Sequence, residues 1–99
     1  MSASRFAGLE HELQAERALA LGRVAAGMEK ALEDLRRFDE QGAGEDGVDR
    51  AELVAIAAER VWFYVVQRES LGWYRHEDAL RFYRVPAELI LRMGPRRAG

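Results

Sequence analysis

Leu21-Gly-Arg-Val24-Ala-Ala-Gly-Met28-Glu-Lys-Ala31-Leu-Glu-Asp-Leu35-Arg-Arg-Phe38 is the stretch whose reading decides the fold. Leu21, Met28 and Leu35 recur every seven residues, and so do Val24, Ala31 and Phe38. Two rows at that spacing make one apolar face of a helix, in the pattern of a coiled-coil seam. Arg23, Lys30, Glu33, Arg37 and Glu40 take the opposite face, with Glu33 and Arg37 four apart in the favourable order. The same period reaches back through Phe6, Leu9, Leu13 and Ala20, and no proline interrupts it. The pattern therefore predicts one helix over residues 5–41. Gly22 and Gly27 lie inside it and permit either a bend or a close helix crossing.

The chain after this helix breaks at Gln41-Gly-Ala-Gly-Glu-Asp-Gly-Val48, a glycine-rich connection over 42–48. Asp49-Arg-Ala-Glu52 then reads as a capping box. Leu53, Val54, Ile56, Ala57, Ala58 and Val61–Val66 follow, bounded by Leu71-Gly72. Val61–Val66 alone, β-branched and aromatic, fits a buried strand. The alanine-rich approach and the charges at Glu52, Glu59, Arg60 and Arg68 favour one central helix over 49–71, apolar around most of its circumference. Gly72 fits the left-handed stop of such a helix. Two short helices are expected over 75–83 and 86–93. Glu77 and Asp78 suit the start of the first, and Pro86 suits the start of the second. A loose tail over 94–99 completes a single all-α domain spanning 1–99.

Ninety-nine residues, 48% hydrophobic and 32% charged, agree with one folded domain. The absence of Cys excludes a disulfide framework, a thiolate nucleophile and a cysteine zinc site. No apolar run is long enough for a membrane span. Met1-Ser-Ala-Ser-Arg-Phe6 lacks the apolar core of a signal peptide, so a cytoplasmic protein is expected. The net charge of −2 offers no global basic field to nucleic acid. It is unevenly placed: residues 1–50 carry 7 basic and 11 acidic groups, residues 51–99 carry 8 and 6. The two halves could attract one another within or between chains, although solvated helix faces give the same count.

Chemistry is hard to find in this sequence. His11 and His76 lack the spacing of a helical metal site. Glu12 and Glu16 share a helix face, which reads more simply as a solvated acidic surface than as a cation site. Ser70 is the only hydroxyl near His76 in sequence, and nothing orients the pair as nucleophile and base. Gly42, Gly44 and Gly47 follow a helix, lack a G-K-[ST] continuation and stand beside Glu45 and Asp46, which repel phosphate. No catalytic, cofactor-binding or metal-binding residue is assigned, and an enzyme is not expected.

Two regions carry partner readings. Ala79 to Met93 resembles a helix-turn-helix in Ala79 and Val85, with Arg84 where that pattern has a turn glycine. Arg75, Arg81, Arg84, Arg92, Arg96 and Arg97 make this end basic, while Glu88 and the apolar Leu89, Ile90, Leu91 and Met93 oppose groove contact. Trp62, Phe63, Tyr64, Trp73, Tyr74, Phe82 and Tyr83 concentrate the aromatics. They form either core or, with Trp73 and Tyr74 exposed at the bend, a partner or ligand surface.

The run Val65-Val66-Gln67-Arg68-Glu69, then Tyr83-Arg84-Val85-Pro86-Ala87-Glu88, then Arg92-Met93-Gly94, resembles an uncharacterised family of short, all-helical bacterial proteins. The likeness covers about the C-terminal half. It implies a bacterial, cytoplasmic, helical protein and assigns no functional residue.

A helix over 5–41 is roughly 55 Å long, whereas a compact domain of this size has a radius of gyration of about 13 Å. Either the helix bends at Gly22 or Gly27, or a second copy covers its stripe. A non-catalytic interaction module, assembled as a homodimer, is the leading expectation. Leu13, Leu21, Val24, Met28, Leu35 and Phe38 are its expected interface. A nucleic-acid-binding protein using Arg84 and Arg92 is the alternative, and a small-ligand sensor at Trp73 and Tyr74 is the second.

Overall fold

A computed structural model describes residues 3–42 and 47–94 of the chain. It contains four helices among these residues and no strand: α1 (Ala3–Gln41), α2 (Arg50–Ser70), α3 (Glu77–Phe82) and α4 (Ala87–Arg92). The order is the one the sequence predicts, with α3 and α4 shorter at both ends. Val61–Val66 is helical, so the strand alternative falls. Among the described residues no helix is long and apolar enough to cross a membrane. Residues 95–99, with Arg96 and Arg97, and the loop residues Gly44, Glu45 and Asp46 lie outside the described residues.

Local chemistry sets the boundaries. Gly42, at a φ of 77°, ends α1, and its N–H donates to the Phe38 carbonyl at 2.7 Å. Asp49 caps α2, accepting from the Glu52 N–H at 2.9 Å. At the other end of α2, Trp73 N–H donates to the Arg68 carbonyl and Gly72 N–H to that of Glu69. These two bonds make a Schellman motif, with Gly72 in the left-handed conformation at a φ of 84°.

The same motif ends α3, but without a glycine. Val85 N–H donates to the Leu80 carbonyl and Arg84 N–H to that of Arg81, both at 3.0 Å. Arg84 is held at a φ of 54°, where its Cβ crowds the backbone. Arg84→Gly is therefore expected to stabilise the fold by about 1 kcal/mol. A thermal melt checks it, and an unchanged or lower midpoint contradicts it.

The core is a helical hairpin with a short brace. Met28, Ala31, Leu32 and Leu35 of α1 meet Val54, Ala57, Ala58, Val61 and Tyr64 of α2, and Leu89 of α4 closes the open side. Small residues at positions 57 and 58 let the two long helices approach closely. Arg50 at the start of α2 reaches Asp39 near the end of α1, and the Arg60 guanidinium lies over Gly27, so α2 runs antiparallel to α1. Gly27 lies beneath the Arg60 side chain, with room for an ordinary contact. A methyl group there would meet Arg60 Nη1 at 3.5 Å, and one at Gly22 would meet open space.

The molecule measures 61 × 27 × 26 Å, with a radius of gyration of 16.9 Å. A 39-residue helix is about 58 Å long, so α1 spans the longest dimension without a sharp bend at either glycine. A 21-residue α2 is only about 31 Å long. α1 therefore outruns its partner by about half its length.

Candidate functional site

The overrun is the N-terminal half of α1. Phe6, Leu9 and Leu13 continue the face that carries Val24, Met28 and Leu35, but no described element covers them. They are 57%, 54% and 51% exposed. Every residue from Arg5 to Leu19 is exposed. Cover on α1 begins at Ala20, and near the end of α2 Gln67 faces α1 across an open notch of about 560 Å³, lined on α1 by Leu13, Glu16, Arg17, Leu19, Ala20 and Arg23.

This arrangement divides the expected interface residues. Met28 and Leu35, at 0% and 3% exposure, belong to the chain's own core. Leu21, Val24 and Phe38 are half-buried, and Leu21 and Val24 pack against that core. Leu13 alone of the six is fully on the bare face. Phe6 and Leu9 join it there. The sequence signal for them was the mismatch in helix length, 39 residues against 21.

Arg68 organises the aromatic bend. Its guanidinium donates from Nε to His76 Nδ1 at 3.2 Å and from Nη2 to the Arg75 carbonyl at 2.8 Å. It also lies 5.4 Å from the Trp73 ring centroid and 5.9 Å from that of Tyr64, within cation–π range. Trp73 and Tyr74 are exposed, as the ligand reading requires, but their nearest organised neighbour is this structural knot. Ser70 Oγ donates to the Gln67 carbonyl at 2.6 Å, so Ser70 and His76 are engaged with separate partners. Among the described residues, no group of three or more His, Asp or Glu could hold a metal ion.

The α3–α4 corner is tied to the hairpin by arginines that periodicity could not identify. Arg36 Nη2 donates to the carbonyls of Tyr83 and Arg84, at 2.9 and 3.4 Å. The Tyr83 ring meets Tyr64 edge-on at 5.4 Å, and burial raises its hydroxyl above the usual tyrosine range. Arg50 of α2 bridges Asp39 of α1 at 2.7 Å and Glu88 of α4 at 2.6 Å. The side chains of Arg84 and Arg92 are exposed beside this corner.

Hydrogen bonds from Arg50 hold the Asp39 and Glu88 carboxyls below their ordinary range. A carboxyl with a lowered folded-state pKa contributes stability above its unfolded value and loses it as pH falls. The bridge should therefore weaken below about pH 4. Wild-type stability is expected to fall more steeply there than that of Arg50→Gln, measured by denaturant titration across pH. Parallel slopes would remove the bridge as the cause.

A model of a family of unknown function (DUF6665) matches residues 2–99. No curated protein and no solved structure matches the chain.

Proposed function

We propose that this chain, which belongs to the DUF6665 family of unknown function, is a non-catalytic helical module that pairs with a second copy of itself. The pairing surface is the bare half of α1. The observation that carries this reading is the apolar row Phe6, Leu9 and Leu13, in line with a packed core stripe yet left without a covering element. Isolated helices of fewer than about 12–15 residues are marginal in water. An uncovered segment of this length draws its order only from continuity with the packed half. A second copy would supply the missing contacts, and apolar burial would drive the association. The resemblance in the C-terminal half adds a bacterial, cytoplasmic setting to the proposal.

Light scattering over a concentration series tests it. The expected mass is about twice the chain's 11.2 kDa. A mass of one chain at all concentrations overturns the reading.

The nucleic-acid alternative has one point in its favour: Arg84 adopts the left-handed turn conformation that the helix-turn-helix pattern gives to glycine. It draws less support elsewhere. α4 has only six residues, Glu88 stands in its first turn and Leu89 is buried in the core. Salt-dependent retention on DNA, lost on charge removal at Arg84 and Arg92, would favour it over self-pairing.

A further inference from the structure

The bend between α2 and α3 sets one histidine between two partners that need it in different charge states. Arg68 Nε donates to His76 Nδ1 at 3.2 Å, and Glu69 Oε1 lies 3.8 Å from His76 Nε2. A guanidinium stays charged and carries only donors. The Arg68 bond therefore exists only while Nδ1 keeps its lone pair, with the ring neutral and its proton on Nε2. A proton added at Nδ1 removes the acceptor and sets two cations face to face. Glu69 then stands beside Nε2 as the counter-charge. We propose that His76 is a proton-operated clasp on α3: neutral, it holds Arg68; protonated, it lets Arg68 go and pairs with Glu69.

The place of the clasp gives the exchange its consequence. The His76 side chain is only 18% exposed, so little water is at hand to replace a lost partner. His76 is the cap residue of α3, its side chain makes no capping bond, and its carbonyl accepts the Leu80 N–H at 2.9 Å. No residue of α3 is fully buried, although Ala79 and Leu80 lean on the core. The helix is thus positioned largely at its two ends, by Arg68 at the start and by the Arg36 and Tyr64 contacts of Tyr83 at the finish. Arg68 also lies over the exposed Trp73 ring, so letting go of His76 reaches the aromatic bend. The other charges around His76 come from its own segment: Arg75 before it, and Glu77 and Asp78 after it, with Asp78 held by Arg81 at 3.3 Å. Among the described residues no ion pair joins His76 to α1 or α4.

Nuclear magnetic resonance on the full-length chain tests the clasp. Nitrogen–proton correlation spectra follow both rings of the two histidines, the Arg68 Nε–H and the Trp73 indole from about pH 8 to about pH 5, where only imidazoles among ordinary side chains change charge. Arg68→Lys identifies the Arg68 signal, and His11, on the bare half of α1, supplies a reference ring. At the upper pH the proton of His76 is expected on Nε2. On acidification the Arg68 Nε–H should shift to the value of a free arginine, with the midpoint of His76 and not that of His11, and the Trp73 indole should follow. His76→Asn offers an acceptor that does not titrate, so both signals should then stay constant over the same range. Glu69→Gln should move the Arg68 change to lower pH. A proton on Nδ1 at the upper pH overturns the proposal. So does an Arg68 signal that stays put while His76 titrates, or one that titrates unchanged in His76→Asn. An Arg68 midpoint unaffected by Glu69→Gln overturns the exchange of partners.

Discussion

Replacing Met28 by Glu is expected to unfold the chain. Met28 is fully buried between α1 and α2, in the core cluster that also holds Ala57 and Ala58. A carboxylate there loses its hydration and gains no counter-charge, since among the described residues no charged side chain is buried in this core. The cost of an unpaired buried charge exceeds several kcal/mol, against a total stability of about 5–15 kcal/mol for native domains. Met28→Ala isolates the packing part, with an expected loss of about 2–5 kcal/mol as a cavity opens in the hairpin. Circular dichroism at room temperature and a thermal melt read both variants. A folded Met28→Glu protein with an unchanged midpoint would mean that this position is not enclosed.

Leu13→Glu should have the opposite profile, with the fold kept and the assembly lost. Leu13 is half exposed and lies outside the core cluster, and Leu and Glu have similar helix propensities, so the hairpin should melt within about 0.5 kcal/mol of wild type. Between copies the change acts twice, because symmetry presents the residue on both sides. Each buried leucine is worth about 1.5–3 kcal/mol. The dimer constant is then expected to weaken by at least about a hundredfold, read by light scattering or sedimentation. Amides over residues 5–19 should exchange faster in the variant than in wild type as this half loses its cover. A dimer of undiminished strength would take Leu13 out of the interface. The contrast between Met28 and Leu13, fifteen positions apart on one apolar stripe, separates the core from the proposed seam.

The four helices and their order were legible in the residues. Heptad spacing predicted α1, an aspartate cap and a glycine stop bracketed α2, and acidic and proline starts marked α3 and α4. Such signals are local, acting over one or two helical turns. Arg50 was not legible, because its partners Asp39 and Glu88 lie 11 and 38 residues away and come together only when three helices pack. The partners of Arg68 and Arg36 were not legible for a related reason. Their acceptors are mainly carbonyls at helix ends and an imidazole, and no sequence pattern marks a carbonyl left open.

The apolar stripe of α1 shows the division most plainly. Residues spaced by three and four determine by themselves that a helix forms and which side of it is apolar, because that periodicity is a property of one helix. What covers that side is a property of two elements. Only the tertiary structure decided that α2 begins beside Asp39 and brings Gln67, in its last turn, to a notch shared with Arg17 and Ala20. Met28 and Leu35 thereby fall under it, while Phe6, Leu9 and Leu13 stay in water. The physical reason is length: at 1.5 Å per residue, 21 residues laid antiparallel against 39 cover the half nearest the connecting loop and leave the other half bare.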